Sequence, residues 1–116
     1  MEDILQQALN FSSFRKNIEI QKKTIKDKLH ASLTIGYDGG IFYIDRSLIV
    51  FVNFLIDSGR VENVPVLDSN NTPILIKDVK NFQNKILDVY FESTNNYLID
   101  FEKIKKQRSP TDLLKL

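Results

Sequence analysis

A chain of 116 residues with 42% hydrophobic side chains, 27% charged side chains and a net charge of +1 has the size of a single domain and enough apolar content to bury a core. The absence of cysteine excludes disulfides, thiolate nucleophiles and cysteine-bound metals, and a lone histidine, His30, removes most zinc and histidine-based catalytic arrangements. Charge is uneven: residues 1–28 carry six bases and four acids, residues 29–102 five bases and ten acids, and residues 103–116 five bases and one acid. Two basic ends therefore flank an acidic middle.

Residues 1–30 hold no continuous apolar stretch followed by a small-residue cleavage site, so no secretory signal is read there. The longest apolar run, Leu48 to Ile56, is interrupted by Asn53 and falls well short of the roughly 18 residues a membrane span needs. These features predict a soluble, cytoplasmic protein with no membrane partner.

In chain order, Ile4, Phe11, Ile18 and Ile25 recur every seven residues, with Ala8 and Leu29 on the neighbouring row. That spacing predicts an amphipathic helix, with a candidate break at Asn10–Ser13 because serine favours caps over helix interiors. The heptad spacing suits a seam with the C-terminal helix or with another copy. Next, two β-prone runs, Ser32–Tyr37 and Ile41–Ile44, flank Asp38-Gly39-Gly40 and predict a hairpin. These glycines are turn residues: a phosphate-cradling loop ends in Gly-Lys-Ser/Thr and opens a helix, and neither feature follows.

Asp45, the apolar stretch Ser47–Asp57 and the stop Ser58-Gly59 predict a helix of about three turns, apolar on nearly all sides and so buried. The alternative is a strand at Leu48–Val52, which would turn the middle into a small five-stranded barrel flanked by helices. Val64–Leu67 and Thr72–Ile76 around Asp68-Ser69-Asn70-Asn71 predict a second hairpin. Asp68-Ser69-Asn70 opens like a calcium loop, but Pro73 stands where glycine is needed and Val79 where the bidentate glutamate belongs, so a turn is read and no metal.

Asp78 to Arg108 predicts one long helix, capped by Asp78, with apolar residues at Val79, Phe82, Ile86, Val89, Tyr90, Tyr97, Phe101 and Ile104. At 1.5 Å per residue it spans roughly 45 Å, more than one small core covers. Ser109-Pro110 ends it, and Thr111–Leu114 forms a short tail. The predicted architecture is α+β, a single domain over residues 1–116, ordered helix, hairpin, buried helix, hairpin, long helix.

No nucleophile–base pair accompanies His30, and Asp38 and Asp45 each have a turn or capping role, so no catalytic residue, cofactor or metal is assigned. Two binding chemistries remain. Ile18, Ile25, Tyr90, Tyr97, Phe101 and Ile104 form an apolar and aromatic seam suited to self-association or to another protein. Arg15, Lys22, Lys23, Lys26, Lys103, Lys105, Lys106 and Arg108 form basic helix ends suited to nucleic-acid phosphates.

The segment Val66–Ile74, the spacing of Tyr90 and Tyr97, and the ending Lys105-Lys106-Gln107-Arg108-Ser109 resemble small proteins of large contractile-tailed phages, cyanophage-like ones especially. The resemblance implies a viral protein of the host cytoplasm acting in particle assembly, and it transfers no site residue. The expectation is a non-enzymatic assembly protein that self-associates, with nucleic-acid binding as the alternative.

Overall fold

The structure is a computed structural model that describes residues 2–107. Its elements run α1 (Glu2–Ser32), β1 (Thr34–Tyr37), β2 (Gly40–Tyr43), α2 (Arg46–Asp57), β3 (Glu62–Leu67), β4 (Pro73–Asp78) and α3 (Val79–Lys105). This is the predicted α+β order, and β1–β2 and β3–β4 form two separate antiparallel ribbons with no closed barrel. The serines at 12 and 13 leave α1 unbroken over 31 residues. Arg108, Ser109-Pro110 and the tail after them lie outside the described residues.

The chain divides into two compact units, one of residues 2–28 with 96–107 and one of Leu29–Asn95. In the first, Lys28 pairs with Asp100 at 3.3 Å, while Gln21 and Gln107 exchange side-chain amide hydrogen bonds of 3.4 and 2.6 Å. Residue numbers thus rise on α1 as they fall on α3, so these segments run antiparallel.

The second unit holds the main core. Alternation along each strand turns Phe42 and Ile44, Val66, and Ile74 and Ile76 inward, where they meet Val52 and Leu55 of α2 and Val79, Phe82 and Ile86 of α3. Phe82 sits against Phe42 and Tyr37, with ring centroids 5.0 and 4.7 Å away. Register is regular in both ribbons, with Gly36 opposite Ile41 and Val66 opposite Ile74. The first turn places Asp38 and Gly39 at φ 48° and 87°, the double left-handed conformation that matches strand twist.

Caps fix the helix ends. Asp45 Oδ1 accepts from Leu48 N at 2.8 Å, and Asp78 Oδ1 accepts from Asn81 N at 3.1 Å. At the end of α2 the N–H groups of Gly59 and Arg60 donate to Ile56 and Leu55 carbonyls, closing the helix as a Schellman turn. The burial that the all-round apolarity of α2 predicts holds for one face only: Val52 and Leu55 are buried, whereas Val50, Phe51 and Phe54 are exposed.

Each hairpin turn also reaches the other hairpin. Asp38 Oδ2 accepts from Lys77 N of β4 at 3.3 Å. Asp68 Oδ2 accepts from Ile41 N of β2 at 3.1 Å, and Asp68 Oδ1 accepts from Asn70 N and Thr72 N at 2.9 Å each. Ser69 adds its N–H and hydroxyl to the Ile41 carbonyl at 2.9 and 2.8 Å. The Thr72 and Ile41 N–H groups, helped by Asn70, hold the Asp68 carboxyl below the usual carboxylate range against the opposing effect of burial.

A Cβ at Gly40 would lie 2.5 Å from Ile74 Cγ1 and 3.1 Å from Phe42 Cε2, so Gly40→Ala should cost about 1–3 kcal/mol in urea unfolding. Asp68 has a depressed folded-state pKa, so its stabilisation is present above the ordinary value of 3.8 and is lost as pH falls through the lower folded value. Asp68→Asn should therefore be clearly less stable than the parent chain at neutral pH, and the two unfolding curves should converge in strong acid. A gap of constant size across that range would refute the assignment.

Candidate functional site

In the second unit β2, the start of α2 and β3 border an open groove of about 520 Å³. Tyr43, Leu48 and Phe51 line it from β2 and α2, and Pro65, Leu67, Asp68 and Ser69 from β3 and the turn after it. The Asp68 carboxylate is committed to three backbone N–H groups and Asp45 to its helix cap. What remains available is apolar surface, which suits a side chain of a partner better than a reacting group. His30 places Nδ1 2.5 Å from the Tyr43 hydroxyl, a pairing of imidazole with phenol at the end of α1.

Phe51 joins this groove to the outer face of α2. Val50, Phe51 and Phe54 are 66%, 44% and 63% exposed, and with exposed Ser47 they follow the i, i+3, i+4, i+7 spacing of one helix face. The opposite face enters the core, so the helix is held rigidly while this face stays in water. Sequence reasoning missed it because every apolar residue counts alike toward burial. The available signal was the polar minority: Arg46, Asn53 and Asp57, spaced seven and four, lie on one side and flank the open face.

The residues expected to form a seam lie elsewhere. Ile104 is buried, and Ile18, Ile25, Tyr97 and Phe101 are half-buried. Ile25 and Ile104 line a shallow groove of the first unit together with Gln21, Lys28, Asp100 and Gln107, and the Tyr97 and Phe101 rings lie 6.1 Å apart. Tyr90 is half-buried against the core of the second unit, beside the exposed Phe91. The apolar side chains of α1 and α3 left in water are others: Ile4, Leu5, Leu9, Phe11 and Ile20 on α1, and Phe91, Leu98 and Ile99 on α3.

The basic candidates Arg15, Lys22, Lys23, Lys26, Lys103, Lys105 and Lys106 are all exposed and all belong to the first unit. Two of them converge on one ring, with Lys22 Nζ 5.9 Å and Lys105 Nζ 5.6 Å from the Phe101 centroid. Lys105 also lies 3.7 Å from Glu102. The burial pattern ranks these contacts. Ile104→Ala should cost about 2–5 kcal/mol, whereas Lys28→Ala, which removes the partly exposed ion pair to Asp100, should cost less than about 1 kcal/mol. Thermal melts of the two variants check the order.

Among the described residues no helix is long and apolar enough to cross a membrane, and no group of His, Cys, Asp and Glu is placed to hold a metal ion. No protein-family model matches the chain, and no curated protein and no solved structure matches it either. The resemblance to phage proteins gains no support from these comparisons.

Proposed function

We propose that this chain is a non-enzymatic interaction module that works by assembly, with a second copy of itself as the first partner. The observation that supports this reading is an imbalance of apolar surface. Among the described residues fourteen large apolar side chains are exposed, against twelve apolar side chains in the buried set. Single exposed leucines are ordinary. Here the exposed residues are grouped on helices, Ile4, Leu5, Leu9 and Phe11 on α1 and Val50, Phe51 and Phe54 on α2. Grouped apolar exposure on a rigid element characterises protein contact surfaces, and burying each large side chain contributes on the order of 1.5–3 kcal/mol.

Nucleic-acid binding is the second reading, favoured by the Phe101 ring between Lys22 and Lys105 with Lys103 and Lys106 nearby in the chain. A ring flanked by ammonium groups can stack a base and hold its phosphates. It ranks second because the ring is half-buried and Glu102 offsets part of the charge.

Light scattering across a dilution series, with and without short DNA or RNA, separates the two. Assembly predicts mass that rises with protein concentration and ignores nucleic acid. A monomer that gains mass only with nucleic acid reverses the ranking. In that case Lys105→Ala with Lys106→Ala should lower the salt slope of binding by about two.

A further inference from the structure

Resting on the self-association reading, we infer that the seam is α2 itself, paired antiparallel with α2 of a second copy about a two-fold axis near Phe51. The open face supplies the apolar contact. Phe51 and Phe54, at 44% and 63% exposed, each leave on the order of 100 Å² in water. Across a two-fold axis beside Phe51, that ring meets its own counterpart, and Phe54 lies over the partner's Val50 and Ser47.

Charge selects this arrangement over others. Arg46 opens α2 and Asp57 closes it. Eleven residues apart, they differ by about 20° around the helix and about 16 Å along it, so both flank the same side of the apolar face. The two-fold axis keeps that side and reverses the direction, which sets Arg46 against the partner's Asp57, twice. A parallel pairing, whose two-fold axis runs along the seam, would move the partner's charges to the opposite side and leave both Arg46 and Asp57 without a counter-charge. Among the described residues neither Arg46 nor Asp57 takes part in an ion pair within the chain, and both are exposed.

The helix dipole adds an independent argument. A cation at a helix N-terminus and an anion at its C-terminus are each on the disfavoured end. Beyond the Asp45 cap, the first turn of α2 has no acid, and its last turn has no base. Antiparallel pairing brings each charge beside the opposite charge and the opposite end of the neighbouring dipole. The α2 faces alone fall short of the roughly 800 Å² per partner of a standard interface, so the dimer is a weak one.

The test is a charge swap read as mass in solution. Arg46→Glu alone and Asp57→Arg alone each create like-charge pairs at the seam and should weaken dimerisation about tenfold or more. An equimolar mixture of the two variants has only opposite-charge pairs and should dimerise like the parent chain. Both substitutions place the favoured charge at the helix end, and circular dichroism should show undiminished helix, so a lost dimer is not lost folding. If the parent chain dimerises but the single variants are unaffected, or their mixture fails to restore association, the α2 seam is wrong and self-association through another face stands. If the parent chain stays monomeric at millimolar concentration, both readings fall.

Discussion

The carboxylate of Asp68 is the contact on which the second unit depends. Asp68 as a residue is buried yet carries an ionised group, a combination that is costly unless the lone pairs are filled. Here they are filled by backbone N–H groups of Asn70 and Thr72 within its own turn and by Ile41 of the other hairpin. One side chain thus shapes a turn, satisfies an outward-facing N–H of β2 and fixes the distance between two ribbons that share no strand pairing. An isolated two-stranded ribbon is marginal in water. Joined by Asp68 and covered by α2 and α3, the pair become two walls of one core.

The two ββα segments repeat this logic with different residues. In each, a turn aspartate bonds to the partner hairpin (Asp38 to Lys77 N, Asp68 to Ile41 N), and an aspartate at the hairpin exit caps the next helix (Asp45 and Asp78). Four carboxylates therefore set turn, register between ribbons and helix start. Four of the ten acids in residues 29–102 are thereby engaged with backbone N–H groups.

How far this could be read from sequence follows the range of each interaction. Asp45 and Asp78 as caps, the Asp38-Gly39 turn and the inward alternation of Val66, Ile74 and Ile76 act over two to four residues, and pattern reveals them. The helical identity of Ser47–Ile56 was open because Val and Phe suit strands as well, and the cap and Schellman turn at its ends decided it. The links from Asp68 to Ile41 and from Asp38 to Lys77 span 27 and 39 residues, and no local pattern encodes them. Nor does apolarity say which face of α2 meets the core. Of the residues expected to form a seam, Ile104 is buried and Tyr90 packs on the core, while Ile18, Ile25, Tyr97 and Phe101 stay half-buried.

The outer face of α2 then poses an energetic question. None of Val50, Phe51 and Phe54 belongs to the core cluster, so lysine or glutamate at these positions would leave that core unchanged. Such residues also favour helix by a few tenths of a kcal/mol over valine and phenylalanine. Arg46 and Asp57 stand on the wrong ends of the dipole, at roughly 0.3–1 kcal/mol each. Helix propensity and solvation disfavour Val50 and Phe54 in an isolated chain, whereas Phe51 is partly covered where it lines the groove with Leu48 and Pro65. In the proposed dimer, burial of two phenylalanines and pairing of both end charges against a second copy of the helix would offset these terms at the same time, which is why α2 carries the assembly proposal further than the longer helices do.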